Sequence, residues 1–219
     1  MNEIKACIFD LDGVIVDTAT FHYKAWKRLA NEMGFDLTPE QNEQLKGISR
    51  MKSLDILLEI GNLDKTNEEK QQLAEKKNNW YRAYIKEMKP DDILPGTLKF
   101  FNELKEANIK IGVGSASKNA KTILHQIHIE SYLDSIIDGN KVSEAKPDPQ
   151  VFLKGAAELN EKPEHCVVFE DAQSGIEAAQ NGGMFSIGVG SEKNLYKADM
   201  VISGLHEMDI TKLKEIERN

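Results

Sequence analysis

The sequence predicts an α/β protein whose core is a doubly wound, mainly parallel, Rossmann-like sheet interrupted by an inserted all-helical cap. Three observations predict it. Short apolar runs end in acidic or small polar residues; beyond residue 95 such runs alternate with amphipathic stretches; and between residues 18 and 89 the texture is helical, rich in Lys, Glu, Gln and Asn. Strands alternating with helices imply a parallel sheet covered on both faces.

Taken in order, residues 4–9 (IKACIF) read as a buried strand that delivers Asp10, Asp12 and Gly13 at its carboxyl end, where α/β sheets bind ligands. In the helical stretch, Leu73, Trp80, Tyr84 and Met88 recur along one predicted face. Gly34, Pro39, Gly47 and Gly61 fall where helices stop or turn. After Pro95-Gly96 the pattern predicts a helix over 97–107, a strand over 110–115, and a helix from Asn119. Further strands are expected near 135–138, 166–170, 185–188 and 200–203, with an amphipathic stretch at 149–159. The expected division is a core of residues 1–16 and 92–219 with a helical cap at 17–91.

Composition narrows the function classes. Hydrophobic residues make up 40% and charged residues 29% of 219, an ordinary globular balance with no run long enough to span a membrane. Residues 1–5 lead into only a short apolar run, so no secretory leader is expected and the expected location is the cytoplasm. A net charge of −8 argues against a nucleic-acid surface but is compatible with a small anionic substrate held by a few local cations. Cys7 and Cys166 each sit inside an apolar run and read as small core residues.

The candidate chemistry lies at strand ends. An ionised Asp10 is a competent oxygen nucleophile toward phosphorus once a metal offsets its repulsion with Asp12. Mg²⁺ suits such hard oxygen ligands. Glu170-Asp171 ends a later strand and offers a second acidic pair at the same sheet edge, although Asp171 alone reads equally well as a helix N-cap. Ser115 closes one strand and Lys146 stands in the turn Lys146-Pro147-Asp148-Pro149; hydroxyl and ammonium would stabilise charge on a transferring phosphoryl group. A loop lysine alone is an ordinary solvated residue. What singles these groups out is their order, each at or just beyond a predicted strand end.

FDLDGVIVDT at residues 9–18, SAS at 115–117, KPDP at 146–149 and ED at 170–171 together resemble the motifs of haloacid dehalogenase-like phosphotransferases. The resemblance implies Asp10 as nucleophile, Asp12 as general acid and base, and Ser115 and Lys146 on the phosphoryl group. It implies metal ligation around Asp10, Asp12, Glu170 and Asp171. Asp at position 12, where some superfamily members have Thr, suggests a leaving sugar hydroxyl that needs a proton. Keeping Asp12 protonated at neutral pH would take a shift of ~3 pKa units, about 4 kcal/mol, which a wet site would not provide. The helical insertion is therefore expected to be mobile and to close.

A narrower resemblance rests on HxxxW at 22–26, LKGISR at 45–50, SASKN at 115–119 and IGVG at 187–190, which are similar to the β-phosphoglucomutase family. It implies substrate contacts from His22, Trp26, Leu45, Lys46, Gly47, Arg50 and Ser53 in the cap. From the core it implies Ala116, Ser117, Lys118 and Asn119. Arg50 is suited to bidentate grip of a second phosphate. Trp26 on its own reads more readily as core, and His22 as a helix-surface residue. The implied cycle interconverts β-glucose 1-phosphate and glucose 6-phosphate through aspartyl-phosphate and β-glucose 1,6-bisphosphate, which also serves as activating intermediate. The expected partner is a small sugar phosphate, with no nucleic acid and no membrane, on a monomer. Two departures from the family pattern are Asp138-Gly139-Asn140, where Asp-Pro is more usual, and Ala172 after the acidic pair. Two rivals remain: a sugar-phosphate or phosphoglycolate-type phosphatase sharing every core residue, and a non-enzymatic phosphoacceptor module.

Overall fold

A computed structural model describes residues 3–45 and 48–216. Six strands form one parallel sheet: β1 (Ala6–Phe9), β2 (Lys110–Gly114), β3 (Ser135–Ile137), β4 (Cys166–Glu170), β5 (Phe185–Val189) and β6 (Met200–Ile202), in the order β3-β2-β1-β4-β5-β6. The chain runs outward from β1 in one direction and then returns to continue on its other side from β4. The reversal lies between β1 and β4, so the carboxyl ends of those two strands flank the crevice where open α/β sheets place ligands.

Both faces of the sheet are covered, which is why its strands read as continuous apolar runs and not as alternating ones. On one face Ala6, Ile8, Cys166 and Val168 pack with Val151, Phe152 and Ala156 of the helix at Gln150–Glu158, and with Ala178 and Ala179 of the helix at Gln173–Asn181. On the other, Phe9 stacks on Phe169 at 4.6 Å and meets Phe100 and Phe101, both from the helix at Thr97–Glu106. Phe9 and Phe101 are fully buried, so this aromatic cluster fixes β1 against β4 just below the strand ends. The two cysteines are free and buried, and burial pushes the Cys166 thiol up to about 12.

Residues 18–88 form a second compact unit, distinct from the unit of 1–17 and 89–219. It contains helices at Ala19–Glu32, Pro39–Asn42, Arg50–Ile60 and Asn67–Ile85, here α1 to α4. Local chemistry sets their ends. Gly34 adopts φ 94 just after α1; Thr38 caps α2, whose first residue is Pro39; and Thr66 and Glu69 form a reciprocal capping box at the start of α4. The interior of this unit is Trp26, Leu29, Ala30, Leu54, Leu57, Leu58 and Ala74.

In α4 the apolar residues named above flank the most buried row. Its buried stripe is Ala74, Lys77, Asn78, Tyr81 and Ile85, continued by Met88, while Leu73, Trp80 and Tyr84 lie at the margins, partly exposed. The inward face carries two polar residues at its centre, so the apolar positions alone point to a face rotated by about one residue.

Candidate active site

In the sheet unit, Asp10 follows β1 directly and its N–H donates to the Phe169 carbonyl at 2.8 Å, which locks the residue against β4. The chain then turns: Gly13 donates to the Val16 carbonyl at 2.7 Å, and the Asp12 N–H donates to Asp10 Oδ2 at 3.1 Å. Gly13 has φ 83, and a Cβ there would run into the Asp171 carboxylate. Glycine is demanded twice at this position, by backbone conformation and by the close approach of an acidic side chain.

Lys146 joins the two strand ends. Its Nζ lies 2.6 Å from Asp10 Oδ1 and 2.7 Å from Glu170 Oε2, with all three side chains nearly buried. Burial alone would drive the ammonium toward neutrality, but the carboxylates of Asp10 and Glu170 outweigh it and hold the Lys146 pKa above its ordinary value. For Glu170, burial and the neighbouring Asp10 push the carboxyl well above the usual range while Lys146 opposes them. Ala172 N–H donates to Glu170 Oε1 at 3.3 Å. Among the described residues, Asp10, Glu170 and Asp171 each bring an oxygen to within 4.8 Å of the others. Asp12 is partly buried, and its carboxylate is not one of the three that converge.

Ser115 is 1% exposed and lies just past β2. Its N–H donates to the Ile137 carbonyl at 2.9 Å and its Oγ accepts from Ser117 N–H at 3.1 Å. Ser117 Oγ in turn accepts from Asn119 N–H at 3.2 Å, so a chain of serine turns shapes residues 115–119. Ala116 and Lys118 are exposed at the turn.

The helical unit gathers a second set. Lys77, on α4, is 1% exposed, with its Nζ 2.8 Å from His22 Nδ1 and over the rings of Trp26 at 4.4 Å and Tyr81 at 5.0 Å. His22 stacks on Tyr81 at 4.0 Å. Burial, then the charges of Lys77 and Arg50, hold the imidazole well below its ordinary pKa, so it is neutral near pH 7. With a lysine ammonium at Nδ1, that nitrogen accepts and Nε2 carries the proton. Arg50 opens α3, where Ser49 Oγ caps the helix, and lies 3.8 Å from Glu75. Trp26, Leu45 and Ser53 are buried at 3%, 5% and 2%; the Ser53 hydroxyl reaches the carbonyls of Leu45 and Ser49 at 3.1 Å, bracing the turn before α3 from inside. Lys46 and Gly47 lie outside the described residues.

Sequence reasoning missed Lys77. The signal was available: Lys77 lies three or four residues from Ala74, Tyr81 and, through Tyr81, Ile85, on the row that a 3.6-residue period turns inward.

The sheet-unit geometry can do two things chemically. Hard oxygens at a sheet edge can hold a divalent cation, and a buried ammonium with a serine hydroxyl can neutralise a phosphoryl group next to a carboxylate nucleophile. Among the described residues, no helix is long and apolar enough to cross a membrane.

Comparison with known proteins follows the same line. Residues 7–189 match the family model described as haloacid dehalogenase-like hydrolase. The chain is 42% identical over 214 residues to a β-phosphoglucomutase of Bacillus subtilis, covering 97% of this chain and 95% of that one. It is 30% identical over 184 residues to a phosphorylated carbohydrates phosphatase of Thermotoga maritima, covering 83% and 82%. The crystal structure of a β-phosphoglucomutase from Clostridium difficile superposes with a TM-score of 0.91 at 46% identity, covering 98% of this chain and 97% of that one.

Proposed function

This chain belongs to the haloacid dehalogenase-like hydrolase family, and on that premise we propose that it works as a β-phosphoglucomutase, interconverting β-glucose 1-phosphate and glucose 6-phosphate. What supports this reading is the identity to a β-phosphoglucomutase over nearly the whole chain, together with two groups of cationic and polar side chains that we assign to phosphate. One is Lys146, 2.6 Å from Asp10, with Ser115 just past the end of β2. The other is Lys118 and Asn119 after β2 in the sheet unit; in the helical unit, taken by itself, Arg50 at the start of α3 is a further candidate phosphate ligand. A phosphatase needs only the first set, whereas a bisphosphate requires both.

In this reading Asp10 is primed by attacking a phosphorus of the bisphosphate through its carboxylate; the P–O bond to the sugar breaks, Asp12 gives the leaving oxygen its proton, and Asp10 carries the phosphoryl group as an acyl phosphate. The 6-hydroxyl of β-glucose 1-phosphate then attacks that phosphorus while Asp12 takes its proton, giving β-glucose 1,6-bisphosphate and free Asp10. The bisphosphate turns end for end; Asp10 accepts the 1-phosphoryl group, Asp12 returns the proton to O1, and glucose 6-phosphate departs. Lys146 keeps its proton because Asp10 and Glu170 hold it in the free enzyme and Glu170 with the phosphoryl oxygens would hold it in the acyl phosphate, so it acts as a fixed positive charge and not as an acid. In the sheet unit Lys118 and Asn119 hold the phosphate that is not reacting; in the helical unit His22, neutral with Nε2–H as donor, is suited to a sugar hydroxyl and Arg50 to a phosphate.

Three converging carboxylates suit a hard divalent cation, and Asp10, Glu170 and Asp171 would hold Mg²⁺, which offsets charge on the transferring phosphoryl group. The family's phosphatases provide the second reading, favoured by the similarity to the Thermotoga maritima protein. A coupled assay separates the two. With Mg²⁺ and trace bisphosphate, wild type should form glucose 6-phosphate from β-glucose 1-phosphate with little phosphate release, and Asp10→Asn should do neither. Dominant phosphate release by wild type would make it a phosphatase.

A further inference from the structure

The segment after β3 is stitched to the turn after β2 by a ladder that continues past the end of the sheet. Ser115 N–H donates to the Ile137 carbonyl at 2.9 Å, Gly139 N–H donates to the Ser117 carbonyl at 3.1 Å, and Asn140 Nδ2 donates to the Lys118 carbonyl at 3.1 Å. Asn140 is itself oriented by Asp138, which is 2% exposed. Its Oδ1 accepts from the Asn140 N–H at 3.0 Å and its Oδ2 from Asn140 Nδ2 at 3.2 Å. With an acceptor for each proton of the amide, the side chain has one orientation. The approach is possible only because residue 139 is glycine: a Cβ there would collide with the Ala116 carbonyl.

Three of the five residues in 115–119 are thus held through their backbone by 137–140. Ser115 touches the reacting phosphoryl group in the reading above, while Lys118 belongs to the group that holds the other phosphate. Asn140 bonds at Lys118 alone. We propose that Asn140, oriented by the buried Asp138, is a positioning residue that sets the backbone at Lys118 and so tunes affinity for the second phosphate of a sugar bisphosphate. The proposal rests on the assignment of Lys118 and Asn119 to that phosphate. It differs from a general stabilising role in being selective, because the hydrogen bond to Ser115 does not depend on it.

The test measures binding of β-glucose 1,6-bisphosphate and of inorganic phosphate by calorimetry, in the presence of Mg²⁺, for wild type, Asn140→Ala and Asn140→Asp. The second variant is isosteric and places a carboxylate against the Lys118 carbonyl and Asp138. Isomerisation and phosphate release are assayed in parallel. The expected result is that the preference for bisphosphate over phosphate falls about fivefold in Asn140→Ala, the worth of one hydrogen bond, and further in Asn140→Asp. An unchanged preference in both variants, or equal losses for the two ligands, would overturn the proposal. If wild type releases phosphate without isomerising yet shows the Asn140-dependent preference, the mutase reading falls and this inference stands. If wild type isomerises and the preference does not move, the reverse holds; if wild type does not prefer the bisphosphate, both fall.

Discussion

Each unit of this protein buries a lysine, and the two are handled in opposite ways. Lys146 in the sheet unit lies between the carboxylates of Asp10 and Glu170, which raise its pKa. Lys77 in the helical unit lies against an imidazole nitrogen and the faces of Trp26 and Tyr81, and its charge instead lowers the pKa of its neighbour His22. In the first, a cation is stored where anionic chemistry needs it. In the second, a cation packs a helix pair and fixes a tautomer. Burial of the same side chain therefore says little about its role until the protonation state of its neighbours is known.

The comparison breaks most visibly at Lys146. Lys146→Met leaves two buried carboxylates facing each other, so stability should fall by about 3–5 kcal/mol and phosphoryl transfer by at least ~10²-fold. Urea unfolding and kcat/KM measure the two; a loss below tenfold in rate would separate Lys146 from the chemistry. Next comes Gly13→Ala, which forces Asp171 aside and should weaken Mg²⁺ binding by about 10–100-fold, read from a Mg²⁺ titration by calorimetry.

Lys77→Met keeps the aliphatic stem but removes the charge, so the His22 pKa should rise while burial and Arg50 still hold it below its ordinary value, visible in the imidazole resonances during a pH titration. The sign for stability follows. A histidine whose folded pKa is depressed stays neutral while the unfolded chain takes up its proton first, so wild-type stability should fall as pH drops below ~6.5, and the variant should lose less over that range. Thermal unfolding at pH 7 and pH 5 checks this, and equal pH slopes for the two proteins would contradict it. The smallest effect belongs to Thr66→Ala, which removes half of the α4 capping box and should cost about 1 kcal/mol without altering catalysis.

The same contrast governs what the sequence discloses. Strands buried on both faces write themselves as apolar runs, and residues 110–114 and 166–170 fall where those runs lie; β1 begins two residues later than its run. The core site is legible because each charged residue follows a strand end, so topology brings Asp10 to Lys146 across 136 positions of sequence. In the helical unit, the apolar residues of α4 mark only the margin of its inward face, because Lys77 and Asn78 occupy the row that apolarity would reserve for Leu or Ile. Bonds such as Lys77 to His22, 55 positions apart, and Asn140 to Lys118, 22 apart, have no local period and follow only from the packed backbone.

In the proposed function the sheet unit supplies phosphoryl chemistry, and Arg50 of the helical unit, by gripping a second phosphate, converts that chemistry into isomerisation. The measurement that tests it is the ratio of glucose 6-phosphate formed to phosphate released from β-glucose 1-phosphate, for wild type and Arg50→Ala. The account predicts that this ratio falls by about tenfold or more, because phosphate release survives the loss of the guanidinium better than isomerisation does. An unchanged ratio, with both rates lowered together or neither lowered, would contradict it.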